Sequence, residues 1–166
     1  STVEGRAFLD LRGRANADGR PVDEYLTLYA LEGFLERLSR SPHRDRFVLK
    51  GGVLLAAFDE RRPTRDVDLA GLHFDNTIEN VTSAIIEIAS LAVDDGLDIA
   101  TDQASAETIR EESAGYTGVR ISLPATLASA RVGFHVDVNV GDPIDPAPEP
   151  TAVPRILGGT IDVLGY

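Results

Sequence analysis

Two aspartates lie two positions apart in a short stretch that alternates between charged and apolar residues. In Asp66-Val67-Asp68-Leu69, strand geometry would place both carboxylates on one face and both apolar side chains on the other. Two partly buried carboxylates held side by side repel each other, and a divalent cation bound between them relieves that repulsion. Because hard oxygen ligands favour magnesium or manganese, the pair predicts a site for one of these ions.

A third acid follows from the same argument on a later stretch, residues 132–140. An isolated aspartate on the open face of a strand is usually a solvated surface residue, but Asp137 accompanies the earlier pair. It is therefore the third candidate metal ligand. Alternation places Val132, Phe134, Val136, Val138 and Val140 on one face of this stretch, and His135, Asp137 and Asn139 on the other.

The diglycine Gly51-Gly52 precedes an apolar run, residues 53–58, which we expect to form a short buried helix. Glycines at the start of a helix offer free backbone N–H groups to phosphate oxygens. The same two residues could form only a sharp bend, and the sequence leaves both possibilities open.

The remaining pattern predicts the elements that must position these residues. Apolar spacing indicates an amphipathic helix over 25–38 and a second helix over 76–92. Residues 105–112 fit either a strand or a short helix, and the proline-rich stretch 143–154 fits a loop or an extended edge. Together these elements predict an α+β (α/β) fold with a mixed sheet flanked by helices. Strands are expected at 47–49, 66–69, 97–100, 119–123 and 132–140.

The composition fits one domain, residues 1–166, and excludes several classes of protein. The 166 residues are 43% hydrophobic, which is enough for a single sizeable core. The absence of cysteine excludes disulfide scaffolds, thiol catalysis and cysteine-based zinc sites. No apolar run approaches the roughly 20 residues that span a bilayer, and no secretory signal is evident, so we expect no membrane association and a cytoplasmic location.

The net charge of −11 is distributed unevenly along the chain. Residues 1–65 carry a net charge of +2, and residues 66–166 carry −13. The acidic part could be merely a solvated surface. Alternatively, a mildly basic face in the first third could meet an anionic partner beside an acidic centre that holds cations.

The order of these motifs resembles the nucleotidyltransferase superfamily that includes DNA polymerase beta, with its diglycine, Asp-x-Asp pair and later third acid. Within that superfamily, Phe47-Val48-Leu49-Lys50-Gly51-Gly52 and Arg62-Pro63-Thr64-Arg65-Asp66-Val67-Asp68-Leu69 look like the AbiEii family of nucleotidyltransferase toxins. The resemblance covers roughly residues 24–166. Its further motifs, in the family's order, are Leu35-Glu36-Arg37-Leu38-Ser39, Asp95-Gly96-Leu97, Tyr116-Thr117-Gly118-Val119-Arg120 and Val136-Asp137-Val138-Asn139-Val140-Gly141-Asp142.

The resemblance implies a nucleotidyltransferase fold with its N-terminal helix packed on the sheet, and transfer of a nucleoside monophosphate from a nucleoside triphosphate by two-metal catalysis. Asp66 and Asp68 would hold magnesium, or manganese, on the triphosphate, and Asp137 would help to activate the attacking hydroxyl. The Gly51-Gly52 backbone would hold the terminal phosphates.

Four neighbouring side chains could add to the nucleotide site that the resemblance implies, and each has an alternative. Arg62 and Arg65 could bind the triphosphate through guanidinium forks or form surface ion pairs. Thr64 could bond phosphate or cap a turn. Lys50 could contact phosphate or lie along apolar surface with its ammonium in water.

The family also suggests partners, namely the 3′ end of transfer RNA as acceptor and a cognate antitoxin. Basic residues of the first third would contact RNA phosphates; these are Arg37, Arg40, Arg44, Arg46, Arg61 and Arg62. The chain lacks the family's C-terminal helical half, so we expect a fragment with weak or no turnover. The alternative function is a non-catalytic module that binds a nucleotide or a protein.

Overall fold

The computed structural model describes residues 2–50, 64–72, 78–111, 116–139 and 147–166. The predicted helix over 53–58 therefore lies outside the described residues. Within them, the helices are α1 (Val3–Asp18), α2 (Val22–Arg40) and α3 (Ile78–Ala89), with a 3₁₀ turn at Thr101–Gln103. The strands are β1 (Phe47–Leu49), β2 (Asp66–Gly71), β3 (Leu97–Ile99), β4 (Ser105–Glu111), β5 (Tyr116–Leu127), β6 (Ala130–Asn139), β7 (Glu149–Pro154) and β8 (Thr160–Gly165).

The described strands form one mixed sheet in the order β3-β5-β6-β2-β1-β8-β7, with β4 also paired to β5. The β2–β6 and β1–β8 pairs are parallel, and the others are antiparallel. This architecture confirms the predicted α+β fold with helices against a mixed sheet. It also decides two open alternatives, because residues 105–111 are a strand and the proline-rich β7 lies at a sheet edge, where proline costs no ladder hydrogen bond.

Helix α2 supplies much of the core. Its predicted apolar stripe is buried, as at Leu31 and Leu35. Phe34 is buried as well, and its ring centroid lies 6.1 Å from that of Phe134 on β6. Burial of each such side chain stabilises the fold by about 1.5–3 kcal/mol. The helix thereby packs on the face of the sheet opposite to Asp66, Asp68 and Asp137.

Helix α1 was not predicted, because its apolar stripe consists largely of alanines. Ala7, Leu11 and Ala15 are its buried residues and recur at every fourth position, which gives a narrow contact with little apolar area. The helix begins at Thr2, whose side chain accepts a hydrogen bond from the Gly5 N–H. It ends at Gly19, which adopts the left-handed conformation at φ 67°.

The structure corrects the assignment of Arg37 to an RNA-binding face. Its side chain is only 4% exposed and forms two hydrogen bonds with the Asp95 carboxylate, of 2.8 and 3.1 Å. A buried arginine that is already paired cannot meet the phosphates of a large polyanion. Arg37 therefore ties α2 to the loop before β3 and is a structural residue.

A second buried charge, Glu32 on α2, holds the hairpin of β7 and β8. Its Oε2 atom accepts the Ile156 N–H at 2.9 Å, while Oε1 has no partner within the described residues. Burial raises the pKa of Glu32 to about 7, although the Ile156 hydrogen bond and the charge of Arg155 act in the opposite direction. The neutral carboxyl is thus favoured in the folded protein at mildly acidic pH.

We expect this carboxyl to make stability fall as pH rises from about 4.5 to 7. In that window the unfolded chain loses the Glu32 proton and the folded protein keeps it. The free energy of unfolding is therefore lower by about 3 kcal/mol at pH 7 than at pH 4.5. The free energy of unfolding of Glu32→Gln, measured with urea, should therefore rise relative to that of wild type as pH increases from 5 to 8. The exposed Glu79→Gln should show no such trend, and a pH-independent difference for Glu32→Gln would contradict the explanation.

Candidate active site

The predicted alternation of β2 and β6 is present in the structure. Val67 and Leu69 are buried, whereas Asp66 and Asp68 point to the opposite face and are partly exposed. On β6, Phe134, Val136 and Val138 are likewise buried, and Asp137 faces the other way. The core takes the apolar side chains of both strands, and all three aspartates are consequently turned to one open face of the sheet.

The strand register then brings the three aspartates together. In the parallel β2–β6 pair, Asp68 is the direct partner of Asp137 and Asp66 is the direct partner of His135. Adjacent strands lie about 4.8 Å apart, so carboxylates on one face of such a pair can approach the same small ligand. We call Asp66, Asp68 and Asp137 the acid trio.

Electrostatics at Asp68 show that this is a crowded negative site. Partial burial raises the pKa of Asp68, and the charges of Asp137 and Asp66 raise it further. The charges of Lys50 and Arg120 act against this increase. Ionised Asp68 is thus stabilised by any additional cation that enters beside it.

Two side chains that the sequence did not assign to the site hold the other members of the trio. Arg120 on β5 pairs with Asp137 through Nε to Oδ1 at 2.8 Å and Nη2 to Oδ2 at 2.9 Å. His135 donates from Nδ1 to Oδ1 of Asp66 at 2.8 Å, since a carboxylate can only accept. Alternation had already placed His135 on the face of Asp137, but nothing in the sequence indicates that Arg120 lies opposite Asp137 in the antiparallel β5–β6 pair.

Asp68, Asp137 and Arg120 line a cleft of about 230 Å³ on the open face of the sheet. Its lining combines anionic and cationic groups with strand residues such as Leu69, Val119 and Val138. A volume of this size is enough for one phosphate-bearing group beside an ion. The charged and amide residues at the cleft are Lys50, Asp68, Arg120, Asp137 and Asn139.

The predicted nucleotide-binding residues are only partly placed. The Lys50 side chain reaches the cleft, and its backbone N–H donates to the Asp68 carbonyl oxygen at 2.9 Å. Thr64 lies 3.5 Å from the Asp66 carbonyl oxygen, a local turn contact, and the Arg65 side chain is exposed. Gly51, Gly52 and Arg62 lie outside the described residues, so their predicted phosphate contacts stay predictions.

The donor set of the acid trio suits a hard divalent cation, because carboxylate oxygens are the ligands that magnesium and manganese prefer. Burial and the charges of Asp137 and Asp66 raise the pKa of Asp68, and a cation bound beside these carboxylates would oppose that shift. In the described part of the chain, no three acidic or histidine side chains are close enough together, in their present orientations, to coordinate one metal ion. Both oxygens of Asp137 accept hydrogen bonds from Arg120 in this structure.

A mixed sheet that carries an Asp-x-Asp pair beside a third acid on the next strand is consistent with a nucleotidyltransferase fold. The family model described as nucleotidyl transferase AbiEii toxin, Type IV TA system, matches residues 33–165. The protein therefore belongs to the AbiEii family of nucleotidyltransferase toxins of type IV toxin–antitoxin systems. No curated protein gives a significant match to the chain. Among the described residues, no helix is both long and apolar enough to cross a membrane.

Proposed function

We propose that this protein transfers a nucleoside monophosphate from a nucleoside triphosphate to an acceptor hydroxyl, and that the acid trio carries out the reaction. The observation that carries this proposal is the direct pairing of Asp68 with Asp137 across two parallel strands, with both carboxylates on the wall of one cleft. Membership of a nucleotidyltransferase family supports the same reaction class.

The acid trio would hold magnesium or manganese, with Asp66 and Asp68 as the principal ligands. Bound ions would stabilise the charge that develops on the entering and leaving oxygens during displacement at phosphorus. Asp137, which stands beside Asp68 on the neighbouring strand, would help to activate the attacking hydroxyl. His135 would orient the Asp66 carboxylate through its hydrogen bond.

The triphosphate would lie along the Lys50 side of the cleft. Lys50 brings a positive charge to the wall that Asp68 also lines, which suits a phosphate oxygen placed between the ammonium and a bound ion. Gly51 and Gly52 follow Lys50 directly in the sequence, and their backbone N–H groups would hold the terminal phosphates. We assign Arg62, Thr64 and Arg65 to the same phosphate chain.

We further propose that the acceptor is the 3′ end of transfer RNA and that the reaction takes place in the cytoplasm. Within the described residues, exposed arginines of the first third support an approach by RNA phosphates, for example Arg44 and Arg46 after α2. Arg37 is excluded from that surface by its burial. Toxins of type IV systems are matched with an antitoxin, so a cognate antitoxin protein is the expected cellular partner.

The test is transfer of radioactive label from each of the four α-labelled nucleoside triphosphates to total transfer RNA by the purified protein. We expect labelled RNA with magnesium or manganese, no label with excess chelator, and loss of label after removal of the RNA 3′ terminus. Binding of nucleotide by calorimetry, measured on the same preparation, gives the second readout. Tight binding without any labelled product would overturn the transferase and favour a non-catalytic nucleotide-binding module.

A further inference from the structure

Arg120 lies between two carboxylates of the acid trio, those of Asp137 and Asp66. Its guanidinium forms a bidentate ion pair with the Asp137 carboxylate, and its Nη2 atom also lies 3.7 Å from Oδ2 of Asp66. One cation therefore faces two of the three carboxylates. The side chain is about one third exposed and lines the cleft, so it can leave this position without disturbing the buried core.

A divalent ion on the acid trio would compete with this arrangement. Both oxygens of Asp137 already accept hydrogen bonds from Arg120, and two cations on one carboxylate repel each other strongly at short range. Binding of the ion and retention of the Arg120 contact thus oppose each other. Because the two equilibria are linked, the contact must weaken metal binding by the same factor by which metal weakens the contact.

We propose that Arg120 is a built-in counter-ion of the acid trio, which a divalent cation displaces from Asp137. In the metal-free protein Arg120 neutralises carboxylates that would otherwise repel one another. When the ion enters, the guanidinium is released into the cleft, where its planar fork suits the phosphate chain of the nucleotide. This inference rests on the proposed function, since it concerns the same carboxylates.

The inference predicts that Arg120→Gln binds manganese more tightly than wild type. We expect a gain of roughly tenfold or more in affinity at physiological salt, measured by electron paramagnetic resonance or calorimetry with manganese alone. Arg120→Lys keeps the charge without the fork and should fall between the two. The control is Arg131→Gln, which removes an exposed arginine from the same face of β6 about 20 Å from Asp137, and should change nothing.

Thermal unfolding gives an independent readout. Without metal, Arg120→Gln should melt at a lower temperature than wild type, and manganese should raise its melting temperature more than it raises that of wild type. An ordinary cross-strand ion pair would lower the melting temperature without changing manganese affinity. Equal or weaker manganese binding by both Arg120 variants would overturn the inference.

The variant Asp68→Asn separates this failure from failure of the proposed function. If wild type binds manganese and Asp68→Asn does not, the metal site stands whatever the Arg120 variants show. If wild type binds no manganese, or Asp68→Asn binds it as tightly as wild type, the proposed metal-dependent transfer fails together with the inference.

Discussion

The double variant Asp66→Asn, Asp68→Asn is expected to lose metal-dependent labelling of RNA by at least about 10³-fold. An amide is a neutral and weaker ligand than a carboxylate, so the change removes two negative charges from the site that would hold the ions. It keeps the size and alternation of both side chains, and Val67 and Leu69 still fill the core. The measurement is the initial rate of label transfer at saturating magnesium.

A matched control removes the same charge elsewhere on the sheet. Asp98 on β3 and Asp162 on β8 are exposed and lie outside the cleft. The double variant Asp98→Asn, Asp162→Asn should therefore label RNA at the wild-type rate. Urea unfolding of both double variants checks that the fold is retained. Full activity of Asp66→Asn, Asp68→Asn in a folded protein would remove these residues from the catalytic site.

The variant Arg37→Ala is expected to lower the free energy of unfolding by about 3–5 kcal/mol, which is a large part of the stability of a typical domain. The substitution leaves the Asp95 carboxylate buried without its counter-ion. It also deprives the carbonyl oxygens of Gly33, Leu91 and Leu97 of donors, since Arg37 binds them at 2.9, 3.1 and 3.3 Å. Urea denaturation at neutral pH measures the loss.

Arg40→Ala provides the comparison within the same helix. Arg40 is 56% exposed and pairs with Glu36 across one turn of α2, an arrangement that contributes at most about 1 kcal/mol. We therefore expect a small effect there and a large one at Arg37. Equal effects at the two positions would show that burial of the Arg37–Asp95 pair does not determine its contribution.

Much of the candidate site follows from alternation along single strands. The alternation of apolar and polar residues predicts that Asp66 and Asp68 share a face, and that Asp137 lies opposite the apolar residues of its own strand. The physical reason is local: a strand turns successive side chains to opposite faces, and the core accepts the apolar set. The structure adds that the two strands are neighbours and parallel, so that Asp68 stands beside Asp137.

Sequence reasoning failed where a residue's role depends on a distant partner. Arg37 and Arg44 have the same side chain and were assigned to the same basic face, yet the first is buried against Asp95, 58 positions away, and the second is exposed. Arg120 likewise meets Asp137 only because β5 and β6 form a hairpin in that register. Helix α1 was missed because its narrow alanine stripe gives a weak periodic signal until α2 packs against it.

The sequence by itself determined the family, the faces of the strands and the chemical nature of the acid trio, because side-chain type and alternation are properties of the chain at short range. The tertiary structure alone decided which cations face those acids. It pairs Arg120 with Asp137 and places Arg37 in the core. These choices depend on strand order and register, which arise from the joint packing of segments far apart in the chain.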